Sequence, residues 1–361
     1  MILKFSEVLE IKNGKNQKKV ENKNGKYPIY GSGGIIGWAN EYLCEKENVI
    51  IGRKGSINKP IFVDTPFWNV DTAFGLIANR EILDSKYLYY FCLSFDFEKL
   101  STTVTIPSLT KNNLLNIKFN VPSLAKQRKI VKKLDKIQEI IKKYQQELIE
   151  FEKLSKSIFE ELCGNSNQKN LKKVELKDVC SSIVRGPFGS SLKKEYFIKK
   201  GEATYKVYEQ KNAIQKNATL GEYYIDFKKY NELKRFKCLP NDVIMSCSGT
   251  IGKLFQLPLD AEKGIINQAL CKFSLKKEIS PIFFLKYMEN FVKNLDIKGS
   301  GIKNIGSVAY IKTIPFYLPS IEQQNRFTSK IKLIEKSKIE IQKSTEETQK
   351  LFDSLMEKYF G

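Results

Sequence analysis

The feature that most constrains this chain is a segment it contains twice, Pro122 to Gly164 and Pro319 to Gly361, in ungapped register 197 residues apart. The first copy opens VPSLAKQRKIVKKLDKIQ and closes SKSIFEELCG. The second opens LPSIEQQNRFTSKIKLIEK and closes FDSLMEKYFG. Pro122, Ser123, Gln127 and Gly164 fall on Pro319, Ser320, Gln324 and Gly361. In the first copy Ile130, Leu134, Ile137, Ile141, Tyr144, Leu148, Phe151, Ser155, Ile158 and Leu162 step by four and three. That is a heptad seam, and its single polar member is Ser155. The same offset carries it to Phe327, Ile331, Ile334, Lys338, Ile341, Thr345, Thr348, Phe352, Leu355 and Tyr359. Polar positions there weaken the stripe but individualise its register. Both segments read as helices of about 38 residues, roughly 57 Å long, starting at Pro-Ser with the serine as N-cap. Neither can bury its stripe alone, and the best partner for each is the other copy.

A chain of 361 residues accommodates two or three domains, which suits a duplicated unit. The net charge is +21, with lysine in excess throughout rather than in a tail. Such a field favours a polyanion, most often nucleic acid, although abundant Lys, Asn and Ile also follows from AT-rich coding. There is no histidine. Imidazole acid–base catalysis, Ser-His and Cys-His nucleophiles and most zinc sites are therefore excluded. Seven cysteines form no CxxC and read as reduced cytosolic thiols. No apolar run approaches the length of a membrane span, and a cytoplasmic location is expected.

The N-terminal region shows short β-like runs, KYPIY, ENVIIG, KPIFV and TAFGLI. Between the first two lies Tyr30-Gly-Ser-Gly-Gly-Ile-Ile-Gly-Trp38, whose glycines resemble a dinucleotide loop. No clear helix follows and no acidic residue ends a second strand, so a flexible loop approaching a phosphate backbone or base edge suits it better. Arg53-Lys54-Gly55-Ser56-Ile57-Asn58-Lys59 places three cations around one turn, as a solvated hairpin tip also would. Asp84 to Leu100 reads as an aromatic core helix. After the polar stretch Asn165 to Asn170, a second globular unit repeats the plan. Asn48 to Lys59 aligns with Asp242 to Lys253, Asp71-Thr-Ala-Phe74 with Asn267-Gln-Ala-Leu270, and Pro281 to Met288 with the aromatic helix. Between landmarks the residues differ freely. Catalytic motifs are missing: there is no Asn-Pro-Pro-Tyr and no Walker A, and acidic-x-Lys triplets such as Asp84-Ser-Lys86 and Asp226-Phe-Lys228 arise by chance among 61 cations and follow no Pro-Asp partner.

Two divergent units, each followed by a long helix that opens Pro-Ser-Ile/Leu-x-x-Gln, resemble the specificity subunit of type I restriction–modification enzymes. Val184-Arg-Gly-Pro-Phe-Gly-Ser-Ser-Leu-Lys193 and Val243-Ile-Met-Ser-Cys-Ser-Gly-Thr-Ile-Gly-Lys253 look like target-recognition segments of that family. The resemblance implies an α/β (α+β) fold: two target-recognition domains with mixed sheets, separated by two long antiparallel coiled-coil helices in a pseudo-two-fold internal repeat. The implied divisions are a recognition domain over 1–121, a helix over 122–164, a linker over 165–173, a second domain over 174–318 and a helix over 319–361. It implies a non-catalytic reader of a bipartite duplex site, with no cofactor of its own. Two methyltransferase subunits would bind S-adenosylmethionine and dock on helices marked by Leu134, Ile141, Leu148, Ile331, Ile341 and Phe352, and restriction subunits would join them. The residues placed to touch DNA are Tyr30, Ser32, Trp38, Arg53, Lys54 and Lys59 in the first unit. In the second they are Arg185, Ser190, Ser191, Lys193, Ser248 and Lys253. The competing reading is a coiled-coil scaffold with an incidental basic surface.

Overall fold

The computed structural model describes residues 1–101, 108–164, 170–297 and 307–361. These form two compact units. One comprises Met1–Glu147 with Glu340–Gly361, the other Leu148–Ile339. The units therefore differ from the divisions expected over 1–121 and 174–318, because each long helix contributes to both.

The first unit holds nine strands: β1 (Ile2–Lys4), β2 (Leu9–Asn13), β3 (Tyr27–Gly31), β4 (Gly34–Ala39), β5 (Asn48–Gly52), β6 (Ile61–Val63), β7 (Trp68–Asn69), β8 (Ala73–Ala78) and β9 (Lys118–Asn120). One sheet runs β2-β8-β5-β6 and a second β4-β3-β7, while β1 and β9 pair with each other. Strand β3 is antiparallel to β4 and parallel to β7, so the second sheet is mixed. The second unit holds β10 (Lys172–Glu175), β11 (Cys180–Arg185), β12 (Tyr205–Tyr208), β13 (Tyr224–Ile225), β14 (Lys237–Cys238), β15 (Val243–Ser246), β16 (Leu254–Gln256), β17 (Gly264–Ile266), β18 (Leu270–Leu275) and β19 (Pro315–Leu318). Its sheets run β11-β18-β15-β16 and β13-β12-β17-β14, with β10 paired to β19. The topology repeats strand for strand, β14 being the addition. Because β10 begins at Lys172, the linker expected to reach 173 ends earlier, and its residues 165–169 lie outside the described residues.

Aromatic helix α1 (Ser85–Ser94) stops short of Leu100. Asp84 caps it by accepting from the Lys86 and Tyr87 amides, and Asp96 then caps a separate 3-10 turn over Phe97–Leu100. Tyr87, Tyr90 and Phe91 are buried, so their rings serve the core rather than bases. The long helices are α2 (Leu124–Cys163) and α4 (Ile321–Phe360), and the second aromatic helix is α3 (Pro281–Ile297). Ser320 forms a reciprocal cap with Gln323: its hydroxyl accepts from the Gln323 amide and its own amide donates to Oε1.

Every seam position of α2 and α4 is buried or half-buried. In the first unit Ile130, Val131 and Leu134 share one core with Met356, against which Phe352, Leu355 and Tyr359 pack. In the second unit Phe159 meets Phe327 edge-on at 6.2 Å, and Lys338 is ion-paired with Glu152. As α2 advances from 152 to 159, its partner retreats from 338 to 327. The helices are antiparallel. Burial works against the charge of Lys338, but Glu152 and Glu335 outweigh it and hold the ammonium above its ordinary range. The other polar seam positions, Thr345 and Thr348, bond back to the carbonyls of Ile341 and Ser344, both at 2.7 Å.

Candidate nucleic-acid interface

In the first unit the glycine-rich stretch is a strand–turn–strand hairpin rather than a free loop. Gly31 pairs with Gly34, which takes φ +129°, and Ser32-Gly33 forms the tip. Tyr30 is consequently not presented as a loop residue. Its ring packs edge-on against Phe67 at 5.8 Å, its carbonyl accepts from the Val70 amide, and burial followed by Asp64 raises its pKa. The half-buried Ser32 stands beside the turn that follows β5: a Cβ built on Gly52 would lie 3.1 Å from the Ser32 Cβ. That turn exposes Arg53 and Lys54. The Arg53 guanidinium lies 5.8 Å from the Phe74 ring centroid, and Lys54 bridges to Ser108. The fold thus brings Ser32, Arg53 and Lys54 together. Lys59 is exposed past Asn58, whose amide side chain bonds Asp96 and the Phe97 amide, and Trp38 is exposed on β4 opposite Pro28.

The equivalent turn of the second unit follows β15 and is organised by Ser246. Its hydroxyl donates to the Thr250 carbonyl and accepts from the Lys253 amide at 3.0 Å, while the Gly252 amide donates to its carbonyl at 2.7 Å. Gly249 and Gly252 supply the positive φ angles, +61° and +78°. Half-buried Ser248 and exposed Lys253 flank the turn. In the first unit Gly52 occupies the place of Ser246, with the Ser56 carbonyl 2.5 Å from where a Cβ would stand. One turn closes on a hydroxyl, the other on bare backbone.

Arg185 ends β11, donates from Nε to the Gln268 carbonyl at 3.2 Å and stacks on exposed Phe188 at 5.0 Å. Ser191 is exposed on the 3-10 turn Gly189–Leu192, and Lys193 is exposed and pairs with Glu195 at 3.6 Å. The side chain of Ser190 lies outside the described residues.

Beside the second sheet of this unit lie cation–aromatic contacts that periodicity and turn signals do not announce. Lys229 Nζ sits 3.9 Å above the Tyr196 ring, Lys237 Nζ 4.1 Å above Tyr230, and Tyr230 stacks on Tyr205 at 3.7 Å. Tyr230 is buried and Tyr205 packs on it, so these contacts hold the sheet together from within. The signal was the run FKKYNELKRFK, Phe227 to Lys237, with cations and aromatics interleaved. The acidic-x-Lys triplets at Asp84 and Asp226 prove to be helix starts. Asp84 caps α1, and Asp226 caps the short helix Phe227–Glu232 by accepting from the Lys229 amide at 2.7 Å. The cysteines are buried thiols, and burial lifts Cys44 to about 11 and Cys163 and Cys180 to about 12. No group of His, Cys, Asp or Glu among the described residues could hold a metal ion.

Against known proteins, a sequence model described as the type I restriction modification DNA specificity domain matches this chain twice, over residues 1–151 and 168–350. The chain belongs to the type I restriction–modification DNA specificity family. A Haemophilus influenzae protein named as a type I restriction enzyme specificity subunit, S.HindORF215P, is 24% identical over 333 residues, covering 85% of this chain and 79% of that protein. The fold is similar to the crystal structure of a type I restriction–modification S subunit from M. genitalium, with a TM-score of 0.62 and 16% identity over 100% of this chain and 96% of that one. A second similar structure comes from work on complex assembly and conformational transition of the type I restriction–modification system, with a TM-score of 0.59 and 14% identity over 100% and 97% of the two chains.

Within this specificity chain, the residues expected to mark partner docking need correcting. Leu134 is 0% and Ile331 1% exposed, because a seam residue faces its own core by construction. Ile141, Leu148, Ile341 and Phe352 are half-buried members of the same seams. The outward apolar side chains of the long helices are Ile140, Ile149, Leu154, Ile321, Leu333, Ile339 and Leu351. No described helix is long and apolar enough to cross a membrane.

Proposed function

We propose that the chain reads a bipartite duplex DNA target, one half-site per recognition domain, as the non-catalytic, cytoplasmic specificity subunit of an adenine-methylating complex. Methyltransferase subunits carrying S-adenosylmethionine, together with restriction subunits, dock on the outward faces of the long helices. The observation that carries this reading is the repeated pair of turns, after β5 and after β15. They occupy the same place in the same sheet topology, yet one presents Arg53 and Lys54 beside Ser32 of the neighbouring hairpin, and the other Ser248 and Lys253. A shared scaffold with divergent tips is what two different half-sites require. Lysine and arginine neutralise phosphates and set register, while hydroxyls and the Arg185 fork reach base edges. The chain's +21 charge supports the phosphate component. The test is a map of methylated bases in a host carrying this chain with its methyltransferase partner, against the same host lacking the chain. The expected result is adenine methylation at one interrupted sequence that disappears with the chain. Methylation indifferent to the chain would leave the coiled-coil scaffold reading in its place.

A further inference from the structure

In each unit one buried glutamine on the long helix holds the start of the aromatic helix through the same set of backbone bonds. Gln127 is 0% exposed. Its Oε1 accepts from the Asp84 amide at 2.8 Å, and its Nε2 donates to the carbonyls of Ile82 and Pro122 at 2.8 and 2.7 Å. Gln324 is 2% exposed. Its Oε1 accepts from the Ser280 amide at 2.9 Å, and its Nε2 donates to the carbonyls of Glu278 and Pro319 at 3.4 and 3.1 Å. Asp84 and Ser280 are the residues immediately before α1 and α3, so both amides sit at the same point of the same fold. The flanking segments share little: Asn79-Arg-Glu-Ile-Leu83 in one unit, Lys276-Lys-Glu-Ile279 in the other.

A primary amide fits this position for a specific reason. One end must accept and the other must donate twice, and all three partners are backbone atoms. Farther along each helix pair a second polar contact repeats the joint. Tyr90 donates to Asp135 at 2.7 Å and to Gln138 at 3.1 Å, and Lys286 reaches Glu335 at 3.5 Å. Two fixed points along a helix pair leave neither sliding nor rotation free. No candidate DNA-contacting residue is among the partners of either glutamine.

We propose that Gln127 and Gln324 are positioning residues that set the orientation of each recognition domain on its long helix, and through it the spacer length the protein accepts. This rests on the bipartite reading above. A rigid helix transmits whatever angle the domain takes at its joint. One base pair of added spacer turns a half-site by roughly 35°, so a slackened joint should relax spacing while leaving the bases read in each half unchanged.

The experiment selects bound duplexes from a library with fixed half-sites and randomised spacer length, and a second library with randomised half-sites. It uses the full chain assembled with its methyltransferase subunits. For Gln127→Ala and Gln324→Ala, the preference for the wild-type spacer over one base pair more or less should fall about tenfold, the equivalent of one lost buried contact. The half-site sequences should be unchanged. Gln127→Glu adds a readout that general destabilisation would not move. Its carboxylate would face two carbonyl oxygens, which raises its folded pKa above the ordinary value of about 4.3. Stability is then lost as pH rises above that value and regained on acidification, when the neutral carboxyl can donate one bond again. Spacer preference should accordingly be relaxed at pH 8 and tighten toward pH 5.5. If Gln127→Ala does not fold, Gln324→Ala, at the longer and weaker joint, decides the matter. Wild-type spacer selectivity in a folded variant, or altered half-site bases, would overturn the proposal. A wild-type protein with no spacer preference at all would instead overturn the bipartite reading.

Discussion

A heptad inserted at matched positions of both long helices should shift the preferred DNA spacer by about three base pairs or abolish tight binding. Seven residues lengthen a helix by roughly 10 Å at 1.5 Å per residue, and a base pair rises about 3.4 Å. Insertion in register keeps the seam intact, because a 3.5-residue hydrophobic repeat is closed under steps of seven. The protein should therefore fold, with Phe159 still against Phe327 and Leu134 still in the core with Met356. Three added base pairs also turn one half-site by roughly 100° about the DNA axis, so the lengthened protein must find a longer, re-phased site or lose affinity. Insertion into α2 alone should be worse, since residues beyond the insertion would meet the wrong seam partners. Selection from a spacer library measures both variants, and an unchanged spacer in the doubly lengthened protein would show that helix length does not set the distance.

Truncation of Phe327 to alanine should destabilise the second unit by about 3–5 kcal/mol, the largest effect expected of any single side chain on the long helices. The ring is 2% exposed and stands edge-on to Phe159 of α2 at 6.2 Å and to Phe283 of α3 at 5.7 Å. It therefore joins three helices, and its loss removes both the apolar burial and two aromatic contacts. Leu333→Ala, six residues along the same helix, provides the control. That side chain is 67% exposed, so the free chain should change by no more than about 0.5 kcal/mol. Denaturant titration of the two variants beside the wild type reads the difference directly. Equal midpoints would mean that the long helices do not contribute to the core in the way described.

The long helices and their pairing were legible in the sequence because a heptad stripe is local, periodic and repeated without gaps. The β-like runs were legible for a similar reason: KYPIY, ENVIIG, KPIFV and TAFGLI became β3, β5, β6 and β8. What escaped the sequence was non-local. Strand β1 pairs with β9 from Ile2↔Asn120 to Lys4↔Lys118, and nothing in three residues announces a partner so far along the chain. Tyr30 was read as a loop residue because glycines mark turns without saying that strands flank them tightly on both sides. Leu134 and Ile331 mark the helices on which partners are expected to dock, and the periodicity that identifies them also turns them inward.

The candidate site was legible only in outline. Arg53, Lys54, Lys253 and Ser248 fell where the two equivalent turns are, since alignment of the copies marks positions in a fold. Ser246 and the Lys229–Tyr196 stack did not, because their roles depend on hydroxyl geometry and ring placement. Gln127 and Gln324 are visible as matched letters, but the backbone atoms they hold at the start of the aromatic helices lie 43 and 44 positions away and carry no side-chain signature.

If the chain reads a bipartite target as proposed, its two recognition domains specify independently. The most direct measurement exchanges residues 1–121 for the equivalent unit of a relative with a different target, keeps Gln127 and both long helices, and maps methylated bases in a host with the partner subunits. The expected result is that one half-site changes to the donor's, while the other half-site and the spacer length stay as in the wild type. A folded hybrid in which both half-sites change, or in which neither does, would contradict it.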